Sequence, residues 1–168
     1  MTVGMANRDL NPRTGIIAID PGVNGAYAIL NFDGSYVGCA ELPRFAKMVN
    51  AVEFSATLQS MRPALAIIEK VASRPGQGVS SVFTFGCAYG VAIGCVAGYG
   101  APISFVTPAK WKAHFRLLGK DKDAARELAI RLYPVAASYL NLKKHVGRAD
   151  ALLLARYAFD MDGGRSFI

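Results

Sequence analysis

The sequence predicts an α/β fold, a mixed five-stranded sheet with helices on both faces. Two short apolar runs, at 16–20 and 65–69, each end in a carboxylate. Three strand-like segments come first, and helical and strand-like segments alternate after them. Isoleucines and alanine at 16–19 show no alternation, as expected of a strand covered on both faces, so a strand is expected at 15–20. Pro21-Gly22-Val23-Asn24-Gly25 is a cluster of turn formers, and 25–31 reads as the returning strand of a hairpin. FDGS at 32–35 turns the chain again into a strand at 35–41. A helix at 50–61 ends before Pro63, and ALAIIEK supplies a strand at 64–69. A helix follows at 79–98 and a strand at 102–106. Thr107-Pro108, a capping hydroxyl and then a first-turn proline, opens helices across 108–132 that stop at Pro134. The last helix is expected at 147–159. No repeat or linker interrupts this order. The expected organisation is a loose tail at 1–14, one domain at 15–160 and a short tail at 161–168.

The 168 residues are 52% hydrophobic and 18% charged, which excludes a disordered or fibrous chain. The net charge of +7 is uneven: twelve of the nineteen basic residues, but only six of the twelve acids, lie from Lys110 onward. That asymmetry points to a polyanion met by the C-terminal third. Cys39, Cys87 and Cys95 lack metal-ligand spacing and read as buried thiols in a reducing compartment. MTVGMANRDLNPR has no signal-peptide core, and a cytoplasmic location is expected. Between Arg74 and Lys110 no charged residue occurs, so 79–98 has the composition of a membrane span. Its serines, tyrosines and Gly100-Ala101-Pro102 exit favour the middle of an α/β domain, and no membrane is expected.

Asp20 and Glu69 can share one sheet edge if their strands are parallel neighbours joined by a right-handed crossover. Asp20 alone is equally a turn residue, and Asp150 alone a favourable partner for a helix dipole. Asp150, however, opens the apolar ALLLARYA, where a buried carboxylate needs a partner, a shifted pKa or a metal. Three acids from two strand ends and a helix start suit a hard divalent cation such as Mg²⁺, completed by substrate phosphate. A pair of such ions suits phosphodiester cleavage.

These features, IAIDPGVNGAYAIL, AIIEK and RADALLLA, resemble the RuvC family of Holliday junction resolvases, within the ribonuclease H-like superfamily. RPGQGVSSVFTFGCAYG and VTPAKWKAHFRLLGKDKDAARELAIRLYP are similar to the phage-borne branch, which would place the protein in a host cytoplasm. The resemblance implies Asp20, Glu69 and Asp150 as metal ligands, with Mg²⁺ or Mn²⁺. It also implies Lys112 and Lys122 as phosphate contacts, and a homodimer nicking a four-way junction symmetrically. Bacterial members carry another Asp three residues before the last acid, where this chain has Gly147; His145 is the nearest replacement, as metal ligand or proton carrier. Their aromatic wedge three residues after the Glu is replaced here by Ala72.

Lys110, Lys112, Arg116, Lys120, Lys122 and Arg126 form a basic segment expected to meet DNA. Gly86, Gly90, Gly94 and Gly98 form a stripe along one helix, each glycine costing roughly 1 kcal/mol of helix propensity relative to alanine. Close backbone approach explains such a stripe, either to the sheet or to a second subunit through Gly86, Gly90 and Gly94. The alternatives are a ribonuclease H-like nuclease acting on RNA or RNA–DNA hybrid, and a non-catalytic junction-binding protein.

Overall fold

The computed structural model describes residues 13, 15–22, 24–72 and 76–162. Its elements are β1 (Ile16–Asp20), β2 (Ala26–Leu30), β3 (Tyr36–Glu41), β4 (Arg44–Phe45), β5 (Met48–Val49), α1 (Ala51–Met61), β6 (Leu65–Glu69) and α2 (Val79–Tyr99). They continue with β7 (Ile103–Val106), α3 (Pro108–His114), α4 (Lys122–Leu132), 3-10 turns at Pro134–Tyr139 and Lys143–His145, and α5 (Val146–Asp162). The main sheet has the order β3-β2-β1-β6-β7. β1–β2 and β2–β3 are antiparallel, while β1–β6 and β6–β7 are parallel. The expected mixed sheet and the parallel pairing of the two acid-ending strands are both present.

Each sheet face buries its own cluster, because successive side chains of a strand point to opposite sides. Ile16, Ala18 and Ala28 pack with Trp111, Ala129 and the apolar side of α5, from Ala149 to Ala158. Ile17, Ile19 and Ile68 pack with Phe54 and Leu58 of α1 and with Ala88, Ala92 and Val96 of α2. The apolar run without alternation therefore marks a central strand. Gly25 closes the β1–β2 turn where a Cβ would collide with the Asp20 carbonyl oxygen, so the turn that presents Asp20 requires glycine.

The structure departs from the sequence reading at several points. The small β4–β5 hairpin was not expected. The helices expected across 108–132 are present as two, divided by a turn in which Arg116 (φ 57°) and Gly119 (φ 72°) take left-handed conformations. Thr107 stands at the N-cap of α3, yet its hydroxyl makes no capping bond; Pro108 alone marks the start. α5 begins at Val146 and runs through Met161 and Asp162, past the expected boundary at 160. The rest of the two tails lies outside the described residues, except Arg13, whose Nη1 donates to the Gly100 carbonyl at 2.6 Å. Residues 23 and 73–75 are also outside them.

Candidate metal centre

Asp20 and Glu69 are the last residues of β1 and β6. Ile19 lies beside Ile68 in the parallel register, so the following residue of each strand brings a carboxylate to the same edge. Asp150 reaches that edge from the start of α5, which packs across β1 and β2. The Asp20 carboxyl is held well above the ordinary carboxylate range, first by burial and then by the charges of Glu69 and Asp150, with Lys112 opposing the shift. Repulsion of that kind requires the three acids to be neighbours. Burial also raises Glu69, against the Trp111 hydrogen bond and the Lys112 charge.

The acids converge without closing on one another. Among the described residues, no three His, Cys, Asp or Glu side chains are drawn tightly enough to share an ion as they stand. Two of the three are turned onto residues of α3. Trp111 Nε1 donates to Glu69 Oε1 at 2.7 Å, and Lys112 Nζ lies 3.9 Å from Asp150 Oδ2. Three hard anionic oxygen donors under mutual repulsion fit a divalent cation, which would relieve the repulsion that burial amplifies. A cleft of about 530 Å³ opens beside Asp20, lined by Lys47, Gln77, Ser80, Ser81 and Thr84 among others.

The single tryptophan, Trp111, is fully buried. Its contact with Glu69 was not foreseen. A buried indole N–H needs an acceptor, and the tryptophan next to a lysine after Thr-Pro was the available signal. Trp111→Phe keeps the ring and removes the donor. It is expected to weaken Mn²⁺ binding by about tenfold, as loss of a ligand's supporting hydrogen bond does. Calorimetric titration of Mn²⁺ measures this, and an affinity equal to the parent's would show that Trp111 only fills space.

His145 is buried at the entrance to α5, and its Nδ1 accepts the Leu142 N–H at 3.4 Å. Burial and the nearby Arg148 and Lys144 charges hold its pKa below the ordinary histidine value, with Glu41 opposing. The charges acting on it are those of Arg148, Lys144, Glu41 and Arg126, not those of the three acids. Gly147, two residues on, does face the acids: a Cβ there would sit 3.6 Å from Asp20 Oδ2.

The basic segment does not form one surface. Lys112 points to the acids, whereas Lys110 lines a groove on the other side of α3 with β7, Tyr157 and Met161. Two residues apart on a helix means about 200° of rotation. Arg116 and Lys120 are exposed on the turn after α3. Lys122 opens α4, and its side chain lies outside the described residues. Arg126 bonds both Asp123 oxygens, at 2.6 and 3.0 Å, and the Leu140 carbonyl at 3.1 Å. Those bonds tie α4 to the turn after it.

The structure removes one of the two readings of the glycine stripe. A Cβ at Gly86, Gly90, Gly94 or Gly98 would meet nothing within 4 Å, so the stripe does not pack on the sheet. α2 turns Ala88, Ala92 and Val96 inward and leaves the glycines, with Val79 and Phe83, on an open face. By length and composition α2 is also long and apolar enough to cross a membrane, and 22% of its most apolar stretch is buried.

No family model matches the sequence. A segment of 85 residues is 38% identical to the chloroplastic Holliday junction resolvase MOC1 of Chlamydomonas reinhardtii; it amounts to 50% of this chain and 10% of that protein. Among solved structures, Thermus thermophilus RuvC in complex with a Holliday junction substrate matches with a TM-score of 0.60 at 18% identity, over 90% of this chain and 96% of that one. The fowlpox virus Holliday junction resolvase matches at 0.59 and 16% identity, over 87% and 97%. The yeast mitochondrial resolvase Ydc2 matches at 0.63 and 11% identity, over 93% and 82%. The chain has the ribonuclease H-like fold of the RuvC-type resolvases, and over half its length it is similar in sequence to a Holliday junction resolvase.

Proposed function

We propose that this protein is a metal-dependent endonuclease that resolves four-way DNA junctions by paired symmetric nicks. The observation that carries the reading is the convergence of Asp20, Glu69 and Asp150 at one sheet edge, close enough for Glu69 and Asp150 to raise the Asp20 pKa. In this reading the three carboxylates hold Mg²⁺, with Mn²⁺ as a substitute. The bound cation would lower the pKa of the attacking water and neutralise charge building on the phosphate. That water adds to phosphorus as one ester P–O bond breaks, and the leaving oxygen takes a proton. Lys112 exchanges Asp150 for the scissile phosphate, screening its charge. Trp111 keeps Glu69 oriented throughout. In this scheme His145, neutral near pH 7, is given proton carriage rather than metal ligation, because the charges acting on it are not those of the three acids.

Lys110, Arg116, Lys120 and Lys122 supply outlying phosphate contacts. The protein acts as a homodimer through the open α2 face at Gly86, Gly90 and Gly94, because two symmetric cuts need two sites related by a two-fold axis. It works on branched DNA inside a cell or organelle, without a membrane, and we place it in the cytoplasm. Incubating it with Mg²⁺ and a four-way junction, a linear duplex or an RNA–DNA hybrid tests the reading. Paired nicks in the junction alone are expected. Preferential cutting of the hybrid would replace this reading with the ribonuclease one, and binding without cutting in any metal would leave a junction-binding protein.

A further inference from the structure

A second, smaller cavity adjoins the catalytic edge on the side away from α2. It encloses about 300 Å³ between the start of β2, the end of β3 and the first turn of α5, and is lined by Asn24, Ala26, Glu41, Arg44, Lys144, Gly147 and Arg148. Asn24 also lines the larger cleft that holds Asp20, so the two cavities meet there. Gly147 lines this cavity beside Asp20: a Cβ there would sit 3.6 Å from Asp20 Oδ2.

Three cations face one anion in this cavity, and the arginines are held in place. Arg44 Nη1 donates to Asn24 Oδ1 at 2.7 Å, and its Nη2 lies 3.7 Å from Glu41 Oε2. Arg148 Nη2 lies 3.3 Å from Glu41 Oε1, and its Nη1 donates to the Tyr139 carbonyl at 3.1 Å. Glu41 thus bridges two guanidiniums and braces them. Lys144 is exposed and makes no ion pair among the described residues. The excess positive charge is unlike the acid-lined edge next door, and it suits one phosphodiester group.

We infer that this cavity seats the DNA phosphate next to the scissile one, with Arg44 and Lys144 as its contacts and Glu41 as the brace. The inference rests on the nuclease reading above. Its consequence is positional: with the neighbouring phosphate fixed here, the scissile phosphate is held over Asp20 and the strand cannot slide along the cleft. Gly147 lines the site and offers no side chain as a further ligand.

Junctions carrying one neutral methylphosphonate on either side of the cut provide the test. The parent should bind one of the two modified junctions about tenfold more weakly than the unmodified one, the loss of a single charge-assisted contact. In the double variant Arg44→Ala/Lys144→Ala, the same modification should make no further difference. The slope of log affinity against log salt should be flatter in the double variant, by close to one unit for the one phosphate. Losses that simply multiply for both modified junctions, or an unchanged salt slope, would overturn the assignment while the parent still cuts. A parent that neither binds nor cuts any four-way junction would overturn both the assignment and the nuclease reading.

Discussion

Asp20→Asn, Glu69→Gln and Asp150→Asn are each expected to lower junction cleavage at least about a thousandfold, roughly 4 kcal/mol of transition-state stabilisation, while binding survives. Binding persists because the lysines and arginines that meet phosphate remain. Asp20→Asn carries a second expected result that separates a metal site from a structural carboxylate. The Asp20 carboxyl is raised above its ordinary value of 3.8 in the folded chain, so the folded state binds more protons there than the unfolded one. Its ionisation therefore destabilises the metal-free protein as pH rises from about 3.8 through the folded pKa. Asparagine removes that charge, and the metal-free variant should be more stable at neutral pH, by about 1 kcal/mol. The gain should shrink to nothing as pH falls toward 4. Added Mg²⁺ should raise the melting temperature of the parent and not that of the variant. Thermal melts with chelator or Mg²⁺ at several pH values measure both effects. A variant less stable than the parent in chelator at every pH would make Asp20 a structural carboxylate.

Gly90→Leu should leave the chain folded and turn paired cutting into single nicking. The position faces open space on an exposed helix, so leucine meets no obstacle within the chain and gains nearly 1 kcal/mol of helix propensity over glycine. Between two copies packed stripe to stripe, the same leucine would hold the backbones apart. Dimer affinity should fall at least about a hundredfold, close to 2.8 kcal/mol. Sedimentation gives the assembly state, and a junction labelled on opposite strands distinguishes paired from single cuts. A variant that sediments as a dimer and still cuts in pairs would place the interface elsewhere.

The sequence makes the sheet legible because burial leaves a local mark there. Ile16–Ile19 and Ala66–Ile68 are covered on both faces, and a run with no polar alternation shows that directly. The two strand-ending acids are legible for the same reason: a carboxylate closing such a run stands out against it. Asp150 stands out less, since any helix tolerates an acid in its first turn. Interactions across the fold leave no such mark. Nothing near Trp111 indicates that its N–H meets Glu69, 42 residues earlier. Asp123 stands three residues before Arg126 and is a local helix partner, but nothing near Arg126 indicates that the Leu140 carbonyl, 14 residues on, also holds it.

Strand and helix order, the parallel neighbourhood of Asp20 and Glu69, and the grouping of the three acids can all be read along the chain. These depend on side-chain periodicity, turn chemistry and one crossover rule, all of which act over short stretches of chain. Packing settles which charges are free and which are paired, that the glycine stripe faces outward, and that a cationic cavity adjoins Asp20 at Gly147. A charge is released or captured by whatever packing brings within a few ångströms of it. For Lys112 and Asp150 that neighbour is 38 residues away along the chain and 3.9 Å away in space.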